Sequence, residues 1–175
     1  QIAWIKINGF TADSDLPFSL PSYTGVANKF VYLVNEDAQL WDWARLPASL
    51  PSGIYTLDEE GLSYNDLYNV TLAWSLATYR YDKYRSDDHS SPQLVWPKQC
   101  DQTAIKAAAT SSHLVRDLIN TPANDLGPEE LASAAENLAL EYGAEFSVIV
   151  GDDLIKQNYP TIHAVGRAHN RAPRL

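Results

Sequence analysis

The 175 residues contain no methionine, not even at the first position, and a single cysteine, Cys100. One thiol excludes an intrachain disulfide framework and a cysteine-built zinc site. It also fits a reducing compartment, so a cytoplasmic setting is the expectation. No apolar run approaches the ~18 residues that a membrane-spanning helix needs, and no charged-then-apolar leader opens the chain. The missing Met is expected of a processed or trimmed start, and Arg174-Leu175 closes the chain without a turn or tail. Positive charge is scarce: 13 Lys and Arg face 22 Asp and Glu, for a net charge of −9. That balance disfavours nucleic acid and anionic membrane surfaces as partners. Several reactive motifs are absent as well. There is no Gly-x-Gly-x-x-Gly, no Gly-x-x-x-x-Gly-Lys, no His-Glu-x-x-His and no Gly-x-Ser-x-Gly, so neither a glycine phosphate loop nor a serine elbow is available.

What remains is 45% hydrophobic and 20% charged, the composition of a packed globular protein. All five Trp fall before residue 100, and residues 101–160 are rich in Ala, Leu and acid. Residues 161–175 carry Arg167, Arg171 and Arg174 with no acid. The break near Lys98–Asp101 is the best domain boundary. Before it, Ile2-Ala-Trp-Ile-Lys-Ile7, Phe30-Val-Tyr-Leu-Val34, Ile54-Tyr-Thr-Leu57 and Gln93-Leu-Val-Trp96 read as strands. A helix capped by Asn65 or Asp66 is expected to run to about Arg85, burying Val70, Ala73, Trp74, Ala77, Tyr81 and Tyr84 along one stripe. After the break, Thr103 to Ile119 reads as a helix about 25 Å long, with Ile105, Ala108, Ser112, Val115 and Ile119 on one face. Asn120 to Asp125 is a turn, since Pro122 disfavours helix at Thr121. Gly127-Pro-Glu-Glu130 starts a second helix and Gly143 stops it. Its inner face is expected to be Leu131, Ala134, Ala135, Leu138 and Tyr142. Glu145-Phe-Ser-Val-Ile-Val150 reads as a strand, and Gly151-Asp-Asp153 leads into a short helix. This alternation argues for an α/β layer.

Candidate chemistry is thin. His89, His113, His163 and His169 form no ligand pair at helical spacing, and a packing or surface role suits them better. Asp152-Asp153 could hold a cation or work as an acid–base pair; an N-cap followed by a first-turn acid is the plainer reading. Asp58-Glu-Glu60 reads as a solvated turn, and Cys100 as a boundary thiol. Tyr79, Tyr81 and Tyr84, with Arg80, Lys83 and Arg85, could stack bases, but a helix with an aromatic inner face and a charged outer face explains them more cheaply. On these residues alone the chain is an acidic α/β protein with no visible active site.

Longer stretches carry more. Val115-Arg-Asp-Leu-Ile-Asn-Thr-Pro-Ala-Asn-Asp-Leu-Gly-Pro-Glu-Glu-Leu131 resembles the linker-helix end and following turn of the leucyl (cytosol) aminopeptidases. Ala73-Trp-Ser-Leu-Ala-Thr-Tyr-Arg-Tyr-Asp-Lys-Tyr-Arg-Ser86 is similar to a helix segment of that family. Val150 to Arg167, with Ala164-Val-Gly-Arg167, and then Ala172-Pro-Arg-Leu175 resemble the lead-in to its first catalytic-domain strands. The likeness runs in order from about residue 70 to the end and is nearest to a bacterial branch with a short N-terminal domain. Residues 1–69 are too divergent to be matched to the family by motif.

The resemblance implies an α/β fold in three parts. They are a macrodomain-like mixed-sheet N-terminal domain at 1–102, a linker helix at 103–119, and the beginning of an incomplete α/β catalytic domain at 120–175. Members remove N-terminal residues, often Leu, from peptides. They use two divalent cations, Zn or Mn, held by Asp, Glu and Lys, and they assemble as hexamers. None of those ligand motifs falls within this sequence, so no catalytic, cofactor-binding or metal residue is assigned here; Asp152, Asp153 and His163 lie in matching stretches without being family ligands. The expectation is the N-terminal part of a metalloaminopeptidase, inactive on its own. The alternatives are a stand-alone macrodomain-like ligand module or a non-catalytic assembly subunit.

Overall fold

A computed structural model describes residues 2–11, 14, 16–21, 27–85 and 90–175. Ser86 and His89 lie outside the described residues. The chain forms two compact units, residues 1–114 and 115–175. Both helices and strands are present, and among the described residues no helix is long and apolar enough to cross a membrane.

The first unit opens with α1 (Ile2–Ile7), a helix where a strand was expected. The β-prone residues have no strand beside them among the described residues, and β propensity counts for little without a partner. The backbone turns on itself instead: Asn8 N donates to Trp4 O and Phe10 N to Ile5 O. Gly9, at φ +68°, ends the helix in a conformation that favours glycine.

Strands β1 (Phe18–Pro21) and β2 (Ala27–Val31) then pair antiparallel, with Phe18 opposite Val31. The strand expected at Phe30–Val34 starts earlier and stops at Val31. Its partner ends there because Pro17 has no N–H to extend the ladder. Two single-turn helices follow, α2 (Leu40–Trp43) and α3 (Arg45–Ala48). Strand β3 (Ile54–Tyr55) pairs parallel with β4 (Gln93–Leu94), through Gln93 N to Gly53 O and Val95 N to Tyr55 O, both 2.8 Å. These strands are shorter than expected, because Pro92 and Pro97 bracket β4 and withhold their donors.

Helix α4 (Tyr64–Ala77) carries the core of this unit. Its N-cap is Ser63, not Asn65 or Asp66. Ser63 Oγ accepts from Asp66 N at 3.2 Å, and the Asp66 carboxylate accepts from Ser63 N at 2.9 Å, a reciprocal capping box. The helix stops at Ala77, well short of Arg85. Near its end, hydroxyl groups bond backward to carbonyls: Ser75 Oγ to Thr71 O at 2.9 Å and Thr78 Oγ1 to Trp74 O at 3.0 Å. Such bonds compete with helix continuation. Ala77 is therefore exposed, and Tyr81 and Tyr84 sit beyond the helix, their ring centroids 5.9 Å apart.

Leu67, Val70, Leu72, Ala73 and Trp74 of α4 are all buried. Val70, Ala73 and Trp74 pack with Ala38, Trp43 and Leu46. Leu67 and Leu72 pack with Cys100, Ile105 and Ala109. The latter two belong to α5 (Gln102–Asn120), which matches its expected span and is capped by Asp101 Oδ1 accepting from Ala104 N at 2.9 Å. Only the first part of its expected face is covered. Ile105 is fully buried, whereas Val115 is half-exposed and Ile119 is 75% exposed.

In the second unit, α6 (Pro128–Tyr142) starts and stops as expected, with Pro128 in the first turn and Gly143 left-handed at φ +65°. None of its residues is buried; Leu131, expected on the inner face, is 52% exposed. The strand expected at 145–150 is not formed as a strand. Among the described residues only its end has a partner, through an antiparallel bridge between Val150 and Arg174. Ile149 and Leu175 exchange both backbone bonds, at 2.8 and 3.0 Å. Two short helices, α7 (Asp153–Lys156) and α8 (Pro160–Gly166), stand between these segments. Leu154 is fully buried among them.

The bonds from Ser63 hold the Asp66 carboxyl below the usual carboxylate range, the hydroxyl contributing most. A carboxyl lowered on folding stabilises the native state fully above its unfolded pKa of about 3.9, and that contribution disappears as pH falls through the lower native value. Asp66→Ala is therefore expected to cost about 1 kcal/mol at neutral pH. Urea unfolding followed by tryptophan emission checks this, and the difference from the parent should shrink under acid. Equal stability at neutral pH would contradict the cap.

Candidate functional site

Three stretches singled out in the sequence converge at the start of α6. The turn after α5 is fixed by Asp125 N and Leu126 N, both donating to Pro122 O. That leaves the Asn124 carbonyl to accept from Arg171 Nη2 at 2.6 Å. The other arm of the same guanidinium, Nη1, lies 3.3 Å from Glu130 Oε2. Glu130 Oε2 also accepts from Gly127 N at 2.8 Å, which closes the first turn. Arg174 pairs with the neighbouring Glu129 at 3.3 Å. Backbone N–H groups of Glu130 and Gly127 lead in holding the Glu130 carboxyl below its usual value, and Arg171 and Arg174 add to the effect.

Two glycines make the close approaches possible. A Cβ at Gly127 would stand 2.8 Å from Arg171 Cδ, and one at Gly166 would stand 2.9 Å from Pro173 Cγ. The stretches Asn120–Asn124, Ala164–Arg167 and Ala172–Leu175 thus belong to one structural junction. The acids at the helix start and the acid-free arginines were both visible in the sequence. Their meeting across 41 residues, from Glu130 to Arg171, was not.

The other candidates are engaged locally. Asp152 and Asp153 do not act as a pair. Asp152 Oδ1 meets His163 Nε2 at 3.0 Å, and Asp153 Oδ1 meets Lys156 Nζ at 2.6 Å, which raises the lysine pKa. Asp152 occupies the N-cap of α7 yet makes no side-chain cap bond, so the capping expectation holds in place but not in mechanism. His169 Nδ1 accepts from Arg171 N. His113 Nε2 lies 3.0 Å from Ser75 O and its ring 5.2 Å from that of Tyr79, and Cys100 is buried with Sγ donating to Pro97 O. Asp58 pairs with Lys29 at 3.1 Å. Lys83 sits over the Tyr84 ring.

Among the described residues no group of three or more His, Cys, Asp or Glu stands close enough to hold a metal ion. A two-metal centre needs several carboxylates around its cations. The donor sets here do not fit one. The second unit also holds an apolar groove of about 480 Å³, lined by Leu131 and Ala135 of α6, by Phe146 and Val148, and by Arg174 and Leu175.

Gly166→Ala is expected to push Pro173 off α8 and destabilise the second unit by about 1–3 kcal/mol, the usual cost of overpacking. Far-UV circular dichroism in urea measures it. A parent-like transition would show that the junction has slack.

Residues 1–97 match the M17 aminopeptidase N-terminal domain, and residues 113–175 match the catalytic domain of the cytosol aminopeptidase family. Peptidase B of Klebsiella pneumoniae (strain 342) is 35% identical over 114 residues, covering 62% of this chain and 25% of that protein. Peptidase B of Serratia proteamaculans (strain 568) is 47% identical over 64 residues, covering 35% of this chain and 15% of that protein. The crystal structure of cytosol aminopeptidase from Coxiella burnetii aligns with a TM-score of 0.89 at 32% identity, over 99% of this chain and 38% of that one. The bottromycin maturation enzyme BotP in complex with Mn aligns with a TM-score of 0.74 at 26% identity, over 98% of this chain and 40% of that one. The chain thus spans well under half the length of these relatives. With one family domain matched over more than half of its residues and a second following it, this chain belongs to the M17 family of leucyl (cytosol) aminopeptidases.

Proposed function

We propose that the chain is the N-terminal part of a metal-dependent leucyl-type aminopeptidase that removes N-terminal residues from peptides. The observation that carries this reading is the order of the two family matches, N-terminal domain before catalytic domain, on one polypeptide. In this reading residues 1–102 are a macrodomain-like domain, 103–119 a linker helix and 120–175 the opening of the catalytic domain. The family's two divalent cations, Zn or Mn, supply Lewis-acid activation of water and of the peptide carbonyl. Their ligands are placed on polypeptide other than these 175 residues, so this part is inactive alone. Support for the metal comes from the Mn complex of BotP. The working assembly is a cytoplasmic homohexamer.

The role of the residues in hand is then architectural. Arg171 and Arg174 neutralise the acids at the start of α6 and tie the last residues to it. The core around α4 is completed by residues of the first unit itself.

Assaying the 175-residue chain and the full-length protein side by side on a leucine chromogenic amide with Mn²⁺ or Zn²⁺ tests the reading. Turnover is expected only from the full-length protein. Turnover by the 175 residues at a comparable rate would overturn it.

A further inference from the structure

We propose that Asn8-Gly9 is a site of spontaneous covalent modification: the Asn8 carboxamide closes on the Gly9 nitrogen, water opens the ring to aspartate or isoaspartate, and the change uncaps α1. Asparagine is among the chemically labile side chains, and this one stands where the reaction meets least opposition. It is the only asparagine in the chain that is followed by glycine. Both residues are exposed, and a Cβ built on Gly9 would meet nothing within 4 Å. No side chain shields the attacking nitrogen. Asn65 and Asn69 in α4 and Asn137 in α6 stand inside long helices, whose backbone ladders hold the following nitrogen in place.

What holds the Gly9 nitrogen is local. Gly9 N donates to Lys6 O and Phe10 N to Ile5 O, both at 3.3 Å. With Gly9 left-handed, these are the two bonds of a Schellman cap. Asn8 Nδ2 donates to Trp4 O at 2.9 Å. All three acceptors belong to α1, a helix of 6 residues. No residue of α1 enters either core cluster, and Ile7 is 80% exposed. A helix this short, with no core residue to anchor it, opens at little cost. Opening frees the nitrogen and the carboxamide together.

The chemistry needs only water and base. Base takes the Gly9 N–H proton, and the nitrogen bonds to Asn8 Cγ. The Cγ–Nδ2 bond breaks, and the amide nitrogen leaves with a proton as ammonia. Water then opens the cyclic imide. Attack at Cγ gives aspartate; attack at the Asn8 main-chain carbonyl gives isoaspartate, which lengthens the main chain by one carbon. The imide nitrogen has no hydrogen to donate to Lys6 O. In isoaspartate the extra carbon shifts Gly9 N and Phe10 N off their acceptors. Either acid loses the Nδ2 donor to Trp4 O and sets a negative charge at a helix C-terminus, where the dipole disfavours it.

The site is tested by holding the 175-residue chain and the full-length protein in mildly alkaline buffer at physiological temperature and mapping their peptides by mass. In both, the peptide containing Asn8 is expected to gain one mass unit and to split into two species. One is cut by an aspartate-specific protease; the other, isoaspartate, resists it. The rate is expected to lie within about tenfold of that of the same chain unfolded in urea, as an opening of little cost requires, and to exceed that at every other asparagine of the folded chain. Asn8→Gln keeps a carboxamide but needs a larger ring, so it is expected to remove the signal and leave tryptophan emission unchanged. In the converted protein, amide hydrogen exchange at Phe10, followed by NMR, is expected to rise about tenfold or more while that of α4 is unchanged. Asn8 intact in either folded protein while the unfolded chain converts overturns the site. A product of aspartate alone does the same, because it means direct hydrolysis without the imide. Parent-like exchange at Phe10 after conversion overturns the uncapping.

Discussion

A helix with apolar residues on every side is stable only when something covers every side, and α4 places that demand on the first unit. Val70, Ala73 and Trp74 need one cover and find it in Ala38, Trp43 and Leu46. Leu67 and Leu72 need another and find it in Cys100, Ile105 and Ala109. The short helices α2 and α3 and the first turns of α5 are held by this requirement. So is the parallel β3–β4 pair, whose Tyr55 and Leu94 pack against the first cluster. Trp74 adds a directional tie, its Nε1 donating to Pro92 O at 3.1 Å just before β4. At the start of the helix Ser63 and Asp66 satisfy donors the helix cannot, and in its middle the buried Thr71 hydroxyl donates to Leu67 O at 2.7 Å.

The second unit obeys a different constraint. A segment of this size has too little interior to bury its apolar residues, and α6 accordingly buries none. Its order comes from polar fasteners. Arg171 binds the Asn124 carbonyl and Glu130, Arg174 binds Glu129, and Gly127 and Gly166 leave space for the chain to pass close by. Exposed ion pairs of this kind contribute little individually, so they fix geometry more than they supply stability. Leu131, Phe146 and Val148 remain as an apolar groove.

Features with local causes were legible in the sequence. Pro128 and Gly143 bound α6, because caps act within a turn of where they stand. The family was legible too, since the stretches around Asn120–Asn124 and Ala172–Leu175 are long and ordered. The family match also reaches residues 1–69, where no motif signalled it. What was misread depends on distant partners. Ile2–Ile7 has strand residues but no strand to join among the described residues, and 145–150 has a partner there only at its end. The tyrosines after α4 continued the helical spacing, yet backward hydroxyl bonds end that helix at Ala77. Asp152 was rightly placed at the start of a helix, but its carboxylate turns to His163 and that of Asp153 to Lys156, partners that local spacing did not reveal.

The central claim is that the first unit completes its own core and the second does not. Tryptophan supplies a clean probe, because all five tryptophans lie in the first unit, whereas helical circular dichroism also reports α6. In a urea titration of the 175-residue chain, helical signal should begin to fall while the emission of the buried Trp43 and Trp74 still holds, giving two separated transitions. A single transition on which both signals superimpose would mean that the two units unfold as one cooperative body, and would contradict the account.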